Sequence, residues 1–165
     1  MRLQKSDFIY LKMDMSMNLS YCNHVFLSLL EKPEDELLGL AYNEVWAPSI
    51  PISYEKFARK NFAEKNFRHS FCPYDLGNGQ QEWIFFNFCK RFSSTEEWIG
   101  YEYVGYKSSQ MAVDFFTPIY KAMQDLESQQ SGEQGVLAAS QYLDNYIENM
   151  DCEYEKYLCL LQNAR

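Results

Sequence analysis

The sequence predicts an α+β fold: a five-stranded antiparallel sheet with short helices gathered on one face, followed by C-terminal helices. Three observations predict it. Two strand-like runs open the chain, three helix-patterned segments follow, and three further strand-like runs are joined by turn signals. Short turns between consecutive strands force antiparallel pairing, because a parallel pair needs a crossover of a dozen or more residues. The chain carries 3 Trp, 13 Tyr and 12 Phe in 165 residues, enough apolar area for a real core.

The first strand-like run is FIYLKMD at residues 8–14, and MSMN separates it from LSYC at 19–22 as a polar turn. Asn23 is positioned as an N-cap before Val25, Phe26, Leu29 and Leu30, whose spacing describes one face of a short helix. Pro33 suits the first turn of a second helix, since its missing N–H costs nothing there. Glu34, Asp35 and Glu36 match the positive end of that helix's dipole, and Gly39 ends it. Two prolines, Pro48 and Pro51, break the chain before a third helix that begins near Ile52 and carries Phe57 and Phe62.

After Asn66 the period changes. Residues 67–74, 83–92 and 98–107 read as strands. Asn78-Gly79 marks the first connection as a hairpin, because both residues tolerate positive φ. Along 83–92 both alternating sets are partly aromatic, which predicts a strand covered on both faces. Residues 111 to about 127 read as helix, and SQQSGEQG at 128–135 has linker composition. Beyond it Leu143, Ile147, Met150, Tyr154, Tyr157 and Leu161 step by four, three, four, three and four, one continuous helical stripe facing a partner. The expected organisation is a domain over 1–109 and a helical extension over 110–165 with its linker near 128–135.

Charge and composition exclude several functions. With 15 Lys+Arg against 23 Asp+Glu the net charge is -8, and no basic cluster offers a footprint for a phosphate backbone, so nucleic acid is not an expected partner. The N-terminal stretch mixes charges into every few residues, with neither a signal-peptide core nor an apolar span near the roughly 20 residues a membrane crossing needs. The expectation is a cytoplasmic protein without membrane insertion. Five scattered cysteines with no CxxC pair fit reduced thiols. His24 and His69 have no ligand partners at metal spacing, and no nucleophile elbow or phosphate loop occurs, so neither a metal site nor an enzyme is expected.

The residues also resemble a family. Tyr21-Cys22-Asn23-His24-Val25-Phe26, then Pro33-Glu34-Asp35-Glu36-Leu37-Leu38-Gly39, then Asn78-Gly79-Gln80-Gln81-Glu82-Trp83, are similar in order and spacing to the Y-x-N-x-x-F, S-x-E-E-L-x-G and K-N-G-x-x-x-W motifs of PAS domains. Within that family the chain most resembles the PAS domains of bacterial aerotaxis receptors. Gly39, Asn43, Val45, Pro48 and Pro51 fall on their G-x-P-H-N-x-V-R-H-P-D-M-P signature, and Gly100, Tyr101 and Val104 on a G-Y-x-S-V-R strand; Tyr120 also fits. Ala41 and Tyr42 replace the Pro-His pair, Trp46 and Ala47 the Arg-His pair, Phe67 a Trp and Gly105 the last Arg.

The resemblance implies a sensory or protein-interaction module in bacterial signal transduction, acting through a partner protein or as a homodimer. It also implies a cavity, for which Asn43, Trp46, Phe57, Trp83 and Phe85 are the candidate lining residues. Members of the aerotaxis group bind flavin, but the polar anchors of the signature are replaced here. The expectation is no cofactor, with a flavin- or small-molecule-binding redox sensor as the alternative. PAS relatives dimerise through flanking helices, so Leu143, Ile147, Met150, Tyr154, Tyr157 and Leu161 are the candidate dimer interface, with packing across the same chain as the alternative.

Overall fold

A computed structural model describes residues 2–45, 50–65, 67–75, 81–130, 132–150 and 152–164. The elements run β1 (Phe8–Met13), β2 (Leu19–Cys22), α1 (His24–Leu30), a 3-10 turn (Glu34–Glu36), α2 (Tyr42–Val45) and α3 (Ile52–Glu64). Then come β3 (Phe67–Asp75), β4 (Gln81–Phe92), β5 (Trp98–Lys107), α4 (Gln110–Gln129), α5 (Glu133–Glu148) and α6 (Tyr154–Asn163). The five strands form one antiparallel sheet in the order β2-β1-β5-β4-β3. The α+β class and the five-stranded sheet are therefore as the sequence predicts. The Asn78-Gly79 turn lies outside the described residues.

The chain divides into two compact units. One holds residues 1–49 and 66–107, the other residues 50–65 and 108–165.

In the sheet unit, Asn23 caps α1 by accepting from the Phe26 N–H at 3.3 Å and ties the same helix to β1. Its side-chain oxygen accepts from the Tyr10 N–H and its amide donates to the Phe8 carbonyl. One residue type chosen for capping thus also fixes where the helix starts over the sheet. Asp14 organises the β1–β2 turn, accepting from the N–H groups of Ser16 and Asn18. These bonds, led by the one from Asn18, hold its carboxyl below the ordinary value. Gly39 has φ 84, a left-handed conformation open to glycine at no steric cost, which is why the chain can turn there toward α2. Pro33 precedes the 3-10 turn as its cap, so the expected second helix is a single tight turn.

The helical unit contains α3. The cause is the apolar face of α3: Tyr54, Ala58 and Phe62, four residues apart, are buried. The Tyr54 ring lies 4.8 Å from Tyr120 of α4, and Phe57 meets Tyr154 of α6 edge-on at 5.5 Å. Glu127 closes the amino end of α3, accepting from the Ile52 N–H at 3.1 Å, the Ser53 N–H at 2.7 Å and the Ser53 hydroxyl at 2.6 Å. A carboxylate there satisfies orphan donors and meets the positive end of the helix dipole.

The C-terminal stripe is also interrupted. Residues 149–153 separate α5 from α6, so Leu143 through Leu161 do not run along one helix. Asn149 ends α5, its side-chain amide donating to the Asn145 carbonyl at 2.7 Å. That local bond competes with continued helix. The break lets α6 fold back onto α4: Ser109, which caps α4, donates its hydroxyl to the Leu161 carbonyl at 2.6 Å. The linker composition at 128–135 shrinks to a short connection, since α4 runs to Gln129 and α5 starts at Glu133.

Candidate functional site

The strand register sets which side chains share a face. Leu11 pairs with Tyr103, Tyr103 with Phe88 and Phe88 with Arg68; Phe86 sits between Gly105 and Ser70. Leu11, Phe86, Phe88, Tyr103, Arg68, Ser70 and Cys72 therefore stand on one side of the sheet, where Tyr42 of α2 joins them. The Tyr42 ring stacks on Tyr103 at 6.0 Å, and Phe88 and Tyr103 approach to 4.0 Å between ring centroids. These side chains enclose a cavity of only about 10 Å³.

Gly105 explains how the rings fill this space. A Cβ there would meet the Phe86 ring at 2.6 Å and Ile84 at 2.9 Å. The absent side chain is the seat of the Phe86 ring, which then occupies volume over the middle of the sheet.

The cavity wall is chemically mixed. The Arg68 guanidinium lies 5.2 Å from the centre of the Phe88 ring, a cation–π contact, and its Nε and Nη1 are buried without a hydrogen-bond partner. Ser70 and Cys72 are 3.1 Å apart. Burial pushes the Cys72 thiol up, outweighing the Ser70 hydrogen bond and the nearby Arg68 charge, so the thiol stays protonated at neutral pH. Burial likewise holds Tyr103 well above the usual phenol value, and its hydroxyl remains neutral. The wall therefore offers one fixed positive charge, a neutral hydroxyl and a neutral thiol to any small polar occupant.

Of the nominated cavity residues whose side chains are described, Phe57, Trp83 and Phe85, none lines this cavity. Trp83 and Phe85 alternate with Ile84 and Phe86 and so point to the opposite face, where Phe85 packs on Phe71 at 4.9 Å and His69 stacks on it at 5.4 Å. Phe57 belongs to α3 in the helical unit. Trp46 and the side chain of Asn43 lie outside the described residues. Sequence reading passed over Arg68, Ser70, Cys72 and Tyr103. The available signal was a polar residue at every second position of β3 opposite the aromatic run of β4, visible once the hairpin register is fixed.

The six stripe residues are split between helices of one unit. Leu143 and Leu161 are buried within the chain, and Phe115 of α4 meets Tyr157 edge-on at 5.2 Å. Tyr154 reaches Tyr54 with its hydroxyl at 3.3 Å. Ile147 and Met150 are half-buried. Among the described residues no cluster of His, Cys, Asp and Glu could hold a metal ion, and no helix is long and apolar enough to cross a membrane.

No family model and no curated protein matches the chain. Its structure is similar to that of a light-oxygen-voltage domain whose mechanism was studied with a flavin analogue: TM-score 0.57, 16% identity, 76% of this chain and 90% of that one covered. It is similar to the light-state light-oxygen-voltage domain of the blue-light photoreceptor Aureochrome1, at TM-score 0.54 and 17% identity over 73% of this chain and 92% of the other. The PAS domain of the fruit-fly ELK potassium channel matches at TM-score 0.51 and 10% identity, over 60% and 85%. The fold is that of PAS and light-oxygen-voltage domains.

The cavity enclosed by the described residues, about 10 Å³, has room for a single water and is smaller than the about 300–1,000 Å³ of pockets that hold small molecules.

Proposed function

We propose that this protein is a PAS-type module of bacterial signal transduction that works by protein contact, through a partner or a second copy of itself, rather than by a bound flavin or by catalysis. The observation that carries this reading is the sheet face closed by Phe86, Phe88 and Tyr103 over a cavity of about 10 Å³. A filled core transmits no ligand-driven change, which leaves surfaces to carry the message. The sequence likeness to aerotaxis-receptor PAS domains at Gly39, Asn43, Val45 and Pro51 supports the bacterial signalling setting. In the helical unit Leu137 and Leu160 are 58% and 56% exposed, apolar surface on α5 and α6 that a second copy would cover.

The test is absorbance and native mass spectrometry of the purified full chain, with light scattering for its assembly. A colourless protein of polypeptide mass that self-associates fits the proposal. Stoichiometric flavin would overturn it, and a monomer would leave a partner protein as the only receiver.

A second reading, a small-molecule sensor, is favoured by the buried Arg68 nitrogens that lack partners. It would take a small anion, and native mass spectrometry would register the added mass.

A further inference from the structure

A second cavity lies elsewhere, within the helical unit, a cleft of about 620 Å³ lined by Phe115, Tyr142, Asn145, Tyr146, Asn149, Met150, Cys152 and Tyr157. Its volume lies in the range of small-molecule sites, about 300–1,000 Å³. Four of the lining residues, Tyr142, Asn145, Tyr146 and Asn149, follow one another at three- and four-residue steps along α5 and so share a face. Phe115 is the floor. Tyr146 stands on it at 82° with centroids 5.8 Å apart, and Tyr157 at 63° and 5.2 Å. Tyr142 extends the Tyr146 wall at 6.2 Å.

The segment that supplies most of the cleft lining is acidic in sequence: residues 133–155 contain Glu133, Asp144, Glu148, Asp151, Glu153 and Glu155 and no Lys, Arg or His. The bounding helices α4 and α6 each carry one lysine, Lys121 and Lys156, and neither lines the cleft. Ring faces are the negative pole of an aromatic quadrupole, so an acidic segment and aromatic walls favour the same ligand charge. The lining itself has no ionic group to demand a compact ion pair. The two asparagine amides supply neutral oxygens for a polar substituent.

We propose that this cleft is a binding site for an organic ammonium ion carrying alkyl or aromatic substituents, held by cation–π contact with Tyr142, Tyr146 and Tyr157. Burial, followed by the neighbouring Tyr146 and Cys152, pushes the Tyr157 hydroxyl up, so that ring stays neutral at physiological pH. The site does not depend on the closed sheet face and stands or falls separately from the signalling role.

The experiment is a titration of the full chain with benzyltrimethylammonium, followed by tyrosine-ring NMR shifts, beside the neutral analogue in which carbon replaces the nitrogen and a hydroxyl maintains solubility. The cation should bind saturably and about tenfold more tightly than the neutral analogue. Tyr142→Ala should weaken it several-fold, whereas Tyr157→Phe, which keeps the ring, should leave affinity within about twofold. Should Tyr142→Ala fail to fold, the comparison of charged and neutral probes on the unaltered protein still decides. Equal affinity for both probes, or no saturable shift with the cation, overturns the proposal.

Discussion

The two units treat aromatic side chains in opposite ways. On the sheet, Phe86, Phe88 and Tyr103 are packed until about 10 Å³ remains; in the helices, Tyr146 and Tyr157 meet Phe115 edge-on yet line a cleft of about 620 Å³. Both sets are rings at edge-to-face or tilted angles, so residue type alone does not separate a core from a cleft. Backbone geometry does. Strands about 4.8 Å apart bring ring against ring, and Gly105 removes the one side chain that would hold Phe86 off the sheet. Helices stand about 8–10 Å apart, and beside the break between α5 and α6 the described residues leave a cleft over Phe115.

Phe88→Ala probes the closed side most strongly. It should cost about 3–5 kcal/mol in denaturant unfolding, because a large ring is lost from a site that cannot collapse. Phe115→Ala, on the open side, removes a half-buried ring and should cost about 1–2 kcal/mol. Equal costs would erase the distinction between the two regions.

Gly105→Ala should destabilise the sheet unit by about 1–3 kcal/mol through overpacking against Phe86. Pairing it with Phe86→Leu should recover part of that loss, and strictly additive effects would show that Gly105 does not seat the ring. In the helical unit, Glu127→Ala should cost about 1–2 kcal/mol by uncapping α3. Hydrogen exchange should then quicken at the Ile52 and Ser53 amides; unchanged protection there would deny Glu127 its role.

The smallest effect is at the sheet's outer face. Tyr10 donates to Glu102 at 2.9 Å, and burial, then that bond and the Glu102 charge, push its hydroxyl up to about 12. Because the folded value is raised, the stabilisation is fully present below the unfolded phenol value of about 10 and is lost as pH rises through the folded value. Tyr10→Phe should flatten stability across that alkaline window, and an identical pH profile in the variant would assign the loss to another group.

Local signals carried much of the fold. Asn23 reads as a cap because its side-chain oxygen is the right length to reach an N–H three residues on, and it does so at Phe26. The strands of the β3–β5 region read from period-two alternation to within two residues of their observed ends. The cavity was less legible. Alternation in β4 separates Trp83 and Phe85 from Ile84, Phe86 and Phe88, yet both sets are aromatic enough to be buried, and burial alone does not say which set faces α2. Periodicity also ran through residues 149–153 without registering the Asn149 stop, because the four-three stepping survives a break that changes direction but not count.

Element type, the β1–β2, β3–β4 and β4–β5 pairings and the Asn23 cap were determined by the sequence itself, since each depends on residues joined by a short stretch of chain. The tertiary structure decided the rest: that α3 belongs with α4, α5 and α6, that Phe86 and Phe88 close the sheet face, and that the tail folds back on Phe115. Each of these depends on which of several adequate apolar faces meets which, and that choice is made by the fit of volumes across contacts remote in the chain.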